Sequence, residues 1–176
     1  MTKIQSLSEF INESASVEKD MQAKIDKAFA ELNAKLIKSD QEWAEKKIKG
    51  FQPHMKEWDA ANQGDRKSWV RNRGPEVIRY WGSKAMVNLI ASRGLEGGLE
   101  NMMKNTLALI KKRDQQIISA LRKKNIESIP DFDLKHVSDG YEGTFNVGDH
   151  KVNIRTIVAG GYNIQRIHNR TLIKIT

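Results

Sequence analysis

The stretch Glu142-Gly143-Thr144-Phe145-Asn146-Val147-Gly148-Asp149-His150-Lys151-Val152-Asn153-Ile154-Arg155-Thr156-Ile157-Val158 decides the fold class. Phe145, Val147, Val152, Ile154 and Ile157 are β-formers at roughly alternating positions, and Gly148-Asp149 is a pair suited to a two-residue hairpin turn. The spacing predicts strands over 142–147 and 151–158. Gly160-Gly161 predicts another turn before a last strand over 162–175, in which Tyr162, Ile164 and Ile167 continue the pattern. The alternation slips by one residue near Arg166-Ile167, as it does at a bulge. Residues 131–176 are therefore expected to form a three- or four-stranded antiparallel meander.

Upstream of Pro130 the period changes. Val17, Met21, Ile25, Ala28, Leu32 and Leu36 recur every three or four residues and mark one stripe of a helix over about 14–50. Glu18, Lys19, Asp20, Lys24, Asp26, Lys27, Glu31 and Lys35 alternate in sign on its other faces. The stripe either packs on the rest of the chain or pairs with a second copy. Gly50, Pro53, Gly64 and Gly74-Pro75 punctuate the next stretch of chain. A second helix is expected from near Pro75 through Val77, Ile78, Trp81, Ala85, Leu89 and Ile90, and Gly94-Leu95-Glu96-Gly97-Gly98 is expected to break it. A third is expected over 99–124, with Leu99, Met102, Met103, Leu107, Ile110, Ile117, Ile118 and Leu121 inward. The fold class is α+β: about three long helices, then a small antiparallel sheet.

Composition excludes several chemistries. The 176 residues include no cysteine, so disulfide scaffolds, zinc ribbons and thiol nucleophiles are ruled out. No run approaches the roughly 20 apolar residues that cross a bilayer. At the start, Ser6, Ser8, Glu9 and Asn12 interrupt the apolar run that a secretory signal would need after Lys3. His54, His136, His150 and His168 lack metal-ligand spacing, and nothing in the sequence calls for a cofactor. The 94–98 segment lacks the Gly-Lys-Ser/Thr ending of a phosphate loop, and no Gly-x-Ser-x-Gly occurs.

The net charge of +8 is unevenly placed. Residues 1–63 carry 10 lysines and no arginine against 11 acids, whereas residues 64–124 carry 14 basic residues against 5 acidic ones. A localised cationic region is the footprint of a polyanion partner, because each neutralised phosphate releases condensed counterions. Arg66, Lys67, Trp69, Arg71, Arg73, Arg79 and Lys84, with Lys111, Lys112 and Arg113 further on, are the candidate contacts to the phosphate backbone of DNA. Arginine pairs with phosphate, and interleaved rings stack on bases; Trp81 sits on the apolar side and reads as a core anchor.

The opening Met1-Thr2-Lys3-Ile4-Gln5-Ser6-Leu7-Ser8-Glu9-Phe10-Ile11-Asn12-Glu13-Ser14-Ala15-Ser16 is the most specific feature. Leu7, Phe10 and Ile11 form a small apolar face, and Ser6 with Glu9 makes a capping box. Ile11-Asn12-Glu13 then meets the small residues Ser14, Ala15 and Ser16. This resembles the capsid-targeting sequence of the internal head proteins of T-even-type bacteriophages. In that family a short N-terminal peptide ending in Ile or Leu, any residue, then Glu directs the protein into the prohead core. The prohead protease cuts after the Glu, and the basic remainder is packed with the DNA and ejected with it. The resemblance implies that Ile11 and Glu13 are recognition residues, that Leu7 and Phe10 dock, and that Ser14 becomes the new N-terminus. It divides the chain into a cleaved peptide over 1–13, a helical basic region over 14–130 and the β region over 131–176. It also implies the virion interior, and then the host cytoplasm, as the location, with the prohead protease, the prohead core and a host defence protein as partners and no membrane. Loss of 1–13 removes Lys3, Glu9 and Glu13 and raises the net charge from +8 to +9. The resemblance covers only about the first fourteen residues; the body matches no internal head protein. The segment from Gly160 to Arg170 also looks like the end of uncharacterised phage proteins.

Two other function classes stay open on the residues alone. Asp131, Asp133, Asp139, Glu142 and Asp149, with His150 and His168, are the carboxylates and imidazoles that a small metal-dependent nucleic-acid-processing enzyme would use. The 17–36 stripe would serve a self-associating structural protein of the particle. Otherwise residues 4–13 simply pack on the fold, and the cations are a solvated surface.

Overall fold

The structure, a computed structural model, describes the backbone of residues 7–60, 68, 84–158 and 169–176, and within these the side chains of 11–42, 46, 68, 97, 100–157 and 170–176. The elements in chain order are helices α1 (Leu7–Ala60) and α2 (Lys84–Arg122), then strands β1 (Lys135–Val137), β2 (Gly140–Val147), β3 (His150–Val158) and β4 (Asn169–Ile175). The class is α+β. Two long helices have their bounds among the described residues, and the break expected at 94–98 is absent, because α2 runs through Gly94, Gly97 and Gly98. Each helical glycine costs only about 1 kcal/mol against alanine, too little to end a helix of 39 residues. The first helix likewise continues past Gly50 and Pro53, where the expected element stops. An interior proline forfeits one N–H and crowds the carbonyl four residues back, a cost of about 3 kcal/mol that this 54-residue helix absorbs. Residues 75–83, expected as the start of the second helix, lie outside the described residues.

The chain groups into two units. One holds α1 up to Asn33, α2 from Ile110 onward and the whole sheet; the other holds α1 from Ala34 and α2 up to Leu109. The divisions expected after residues 13 and 130 both fall inside the first unit. Its core is built from Met21, Ile25, Phe29 and Leu32 of α1, Ile117 and Leu121 of α2, and Phe145, Val152 and Ile154 of the sheet. Ile126, Ile129 and Phe132 of the connecting segment complete it. Each such side chain contributes about 1.5–3 kcal/mol by leaving water. The periodicity of α1 is as expected, except that Phe29, fully buried, takes the inward place assigned to Ala28.

The connecting segment is tied on both sides. Phe132 stacks on Phe145, with ring centroids 4.7 Å apart. The Lys24 ammonium donates to the Ile129 carbonyl at 2.6 Å, and Lys27 pairs with Asp131. The end of α2 sets the direction of this segment. Asn125 takes a left-handed φ of 56°, the Ile126 N–H donates to the Leu121 carbonyl, and the Asn125 N–H donates to the Arg122 carbonyl. These are the paired bonds of a Schellman cap, and the two residues it brings together, Leu121 and Ile126, are both buried.

The sheet is an antiparallel meander in the order β1-β2-β3-β4. Val147 pairs with His150 across Gly148-Asp149, and Gly148 alone of the two has positive φ, the pattern of a type II′ turn. A Cβ on Gly140 would collide with the Thr156 carbonyl oxygen, so only glycine fits there. The expected strands over 142–147 and 151–158 are present, each extended at its start. Of the expected 162–175 strand, Asn169–Ile175 is β4. The Gly160-Gly161 turn and the slip at Arg166-Ile167 lie outside the described residues. Phe145, Val152, Ile154 and Thr156 face inward and are buried.

Candidate nucleic-acid interface

On α2 the buried side chains are Met102 and Thr106 and, further on, Arg113, Asp114, Ile117 and Leu121. At 100° per residue, the opposite side of the helix carries Lys112, Gln115, Gln116 and Ser119, and Lys123, the first residue past its end, continues the row with its N–H bonded to the Ser119 carbonyl. In the first unit these line a shallow surface depression with Ala120. Lys111 flanks that row, Lys124 follows Lys123 beyond the helix end, and all four lysines are exposed. Lys112 and Lys123 are separated by three turns, about 16 Å of rise. Lys111, Lys112, Lys123 and Lys124 have no acidic partner among the described residues. The helix dipole places negative charge at this end of α2, which favours the cations there.

The acid that would have neutralised this face is turned inward. Asp114 is 4% exposed and receives two hydrogen bonds from Arg113, from Nε at 2.9 Å and from Nη2 at 2.7 Å. The remaining Arg113 nitrogen, Nη1, donates to Asn33 at 3.1 Å, and its guanidinium lies 3.6 Å from the centre of the Phe29 ring. Gln22 donates to the second Asp114 oxygen at 3.2 Å. Burial pushes the Asp114 carboxyl upward, against the pull of Arg113, and pushes Arg113 downward, against the pull of Asp114. Arg113, expected to contact phosphate, is therefore a core residue, 1% exposed and fully engaged within the chain. It sits on the Thr106–Ile117 side of the helix, which a lysine-and-arginine count does not register. Leu107, expected inward, is 53% exposed, and Thr106 occupies the inward position instead.

Of the other candidate contacts, Lys111 and Lys112 are exposed on the lysine face. Lys84 is the first residue of α2, with its side chain outside the described set. Arg66, Lys67, Trp69, Arg71, Arg73 and Arg79 also lie outside the described residues. From sequence, Lys123 and Lys124 stand out only as cations at a helix end, and Gln115, Gln116 and Ser119 not at all. The spacing 112, 116, 119, 123, set against the inward 113, 117, 121, is the signal that marks them.

The N-terminal candidates lie on α1. Leu7 and Phe10 are in its first turn by backbone, Ile11 is 55% exposed and Glu13 is exposed. Ser14 is half-buried: Arg122 Nη2 donates to its carbonyl at 3.3 Å and to its hydroxyl at 3.4 Å, and pairs with Glu18 at 3.4 Å. From Leu7 on, the expected short turn is continuous with the long helix; its expected cap, Ser6, lies outside the described residues.

The acidic residues of the β region do not assemble into a site among the described residues. Asp131 is held by Lys27, and Asp139 by Arg155 at 2.7 Å. No three of the described His, Asp or Glu side chains converge as ligands for a metal ion. His168 lies outside them. The 17–36 stripe is spent within the chain, with Met21, Ile25 and Leu32 buried. No described helix is long and apolar enough to cross a membrane. No family model, curated protein or solved structure matches the chain.

Proposed function

We propose that this protein is a non-enzymatic DNA-binding protein of a phage head, packed against the genome and delivered with it, where it protects the DNA or counters a host defence protein. The observation that carries the DNA part is the exposed row of Lys111 and Lys112 on α2 with Lys123 and Lys124 just past its end; Asp114, the acid nearest Lys111 and Lys112 in sequence, is buried against Arg113. Point-like ammonium groups on flexible stems suit phosphate contact without sequence readout. The phage part is carried by the N-terminal resemblance. It gains support from Ile11 and Glu13 being exposed. Proteases take substrate in extended form, so cutting at Glu13-Ser14 requires the first turns of α1 to open. Helix ends do this at low cost.

Mass spectrometry of purified virions tests the processing: a chain beginning at Ser14 inside the particle is expected, and an intact Met1 terminus, or absence from the particle, counts against it. Titration of the full chain with a mixed-sequence duplex tests DNA contact. Affinity should fall steeply between about 50 and 200 mM salt, and Lys111→Gln with Lys112→Gln should make the logarithmic salt slope about 2 units shallower.

A further inference from the structure

The strand register collects cations on one face of the sheet. Residues that alternate with the buried Phe145, Val152 and Ile154 point outward, and across the strands these form rows. Asn146 pairs with Lys151, and Thr144 with Asn153, which in turn pairs with Lys174. Below them Lys135 pairs with Glu142, Glu142 with Arg155, and Arg155 with Leu172; Ile157 pairs with Arg170. Lys135, Lys151, Arg170 and Lys174 are exposed; Lys135 lies opposite Glu142, and Lys151, Arg170 and Lys174 have no acidic partner among the described residues. Arg155 is engaged by Asp139, and Glu142 is the acid within these rows. Lys151 and Lys174 are diagonal neighbours on adjacent strands, a separation of about 7–8 Å. Around them Asn146, Thr144 and Asn153 supply neutral donors, with the Asn153 amide already donating to Thr144 at 2.9 Å.

We propose that this outer sheet face, centred on Lys151 and Lys174 with Arg170 and Lys135 at its margin, is a second surface for the phosphate backbone of duplex DNA. The proposal rests on the DNA-binding reading and extends it from one helix face to a second, separately built surface. Charge complementarity selects a polyanion. The outward rows contain no aromatic ring, so nothing there would stack on unpaired bases, which favours the backbone of a duplex over a single strand. Protection of an edge strand accounts for cations on β4, but not for Lys151 on β3, which has a strand on either side.

The test compares the full chain, Lys151→Gln/Lys174→Gln and Lys111→Gln/Lys112→Gln, each titrated with the same duplex over a range of salt. The exposed substitutions should leave the melting temperature unchanged. The sheet variant is expected to lose about 2 units of salt slope, as the helix variant does. If only the helix variant changes, the sheet surface is overturned and the DNA-binding reading stands. If neither changes while the full chain binds, both lysine surfaces are overturned as contacts; if the full chain does not bind, the DNA-binding reading is overturned with them. A sheet variant that binds DNA as before but self-associates in sedimentation assigns the lysines to edge protection and overturns the proposal. So does one that loses binding only to phosphatidylserine vesicles.

Discussion

Arg113 and Asp114 are neighbours in sequence and both inside the molecule, where charge and burial are in direct conflict. The pair persists because nearly every polar atom has a partner: Asp114 accepts from Arg113 and Gln22, and Arg113 spends its remaining donor on Asn33 and its face on Phe29. Breaking such a pair leaves one charge stranded, at a cost of about 3–5 kcal/mol. Asp114→Ala is therefore expected to lower unfolding free energy in urea by that amount. Converting both together, Arg113→Met with Asp114→Leu, is expected to be neutral or stabilising. A silent single substitution would show that the charges are not desolvated as described. Asp40, in the other unit, has the opposite simplicity. It is half-buried, accepts from the Thr106 hydroxyl, and burial raises its carboxyl above the ordinary range against the pull of that bond. A raised carboxyl contributes most below its unfolded pKa and loses that contribution as pH rises through its folded value, so the carboxylate costs stability near pH 7. Asp40→Asn keeps an acceptor for Thr106 without the charge. Its melting temperature should exceed that of the unsubstituted protein near pH 7, and the gain should vanish near pH 3. A constant difference across that range would contradict the assignment.

At the scale of elements, the termini carry the information. The Schellman cap at the end of α2 places Asn125 in left-handed backbone, a conformation glycine adopts without a Cβ penalty. Asn125→Gly is expected to stabilise by a few tenths to about 1 kcal/mol in thermal or urea unfolding, and Asn125→Val to destabilise. Equal stability of the two variants would contradict the cap. The hairpin around Gly148-Asp149 is legible in the sequence because a short-range turn signal and a period of two coincide there. The stripe of α1 is legible because Met21, Ile25 and Leu32 keep helical spacing. The 94–98 segment misleads because glycine content reports a local cost of about 1 kcal/mol per residue, while helix continuity is decided by the packing of the whole element. Strand β1 leaves no sequence signal because three residues are too short to show alternation. Arg113 misleads because a charged residue on an apolar face looks like its solvated neighbours until its partners, 80 residues away in the case of Asn33, are in place. The lysine face is half legible: Lys111 and Lys112 stand out as a run, whereas the alignment of Lys123 with them emerges only from the direction of the core.

For the whole molecule, the described cations of the middle third are of two kinds. Arg113 and Arg122 are engaged within the chain, while Lys111, Lys112, Lys123 and Lys124 face outward. Near the N-terminus, Arg122 grips Ser14 and Glu18, both of which would remain if residues 1–13 were removed. A chain beginning at Ser14 is expected to melt within a few degrees of the full chain. A large fall would instead show that Leu7 and Phe10 pack on the fold and are no disposable label. Whether the outward face of α2 meets a phosphate backbone is decided by the salt dependence of duplex binding, measured for the full chain and for a variant with Lys111, Lys112, Lys123 and Lys124 all changed to Gln. A steep slope is expected for the full chain and one shallower by roughly 3–4 units for the variant, with little change in melting temperature. Identical slopes for the two proteins would contradict DNA contact through this face.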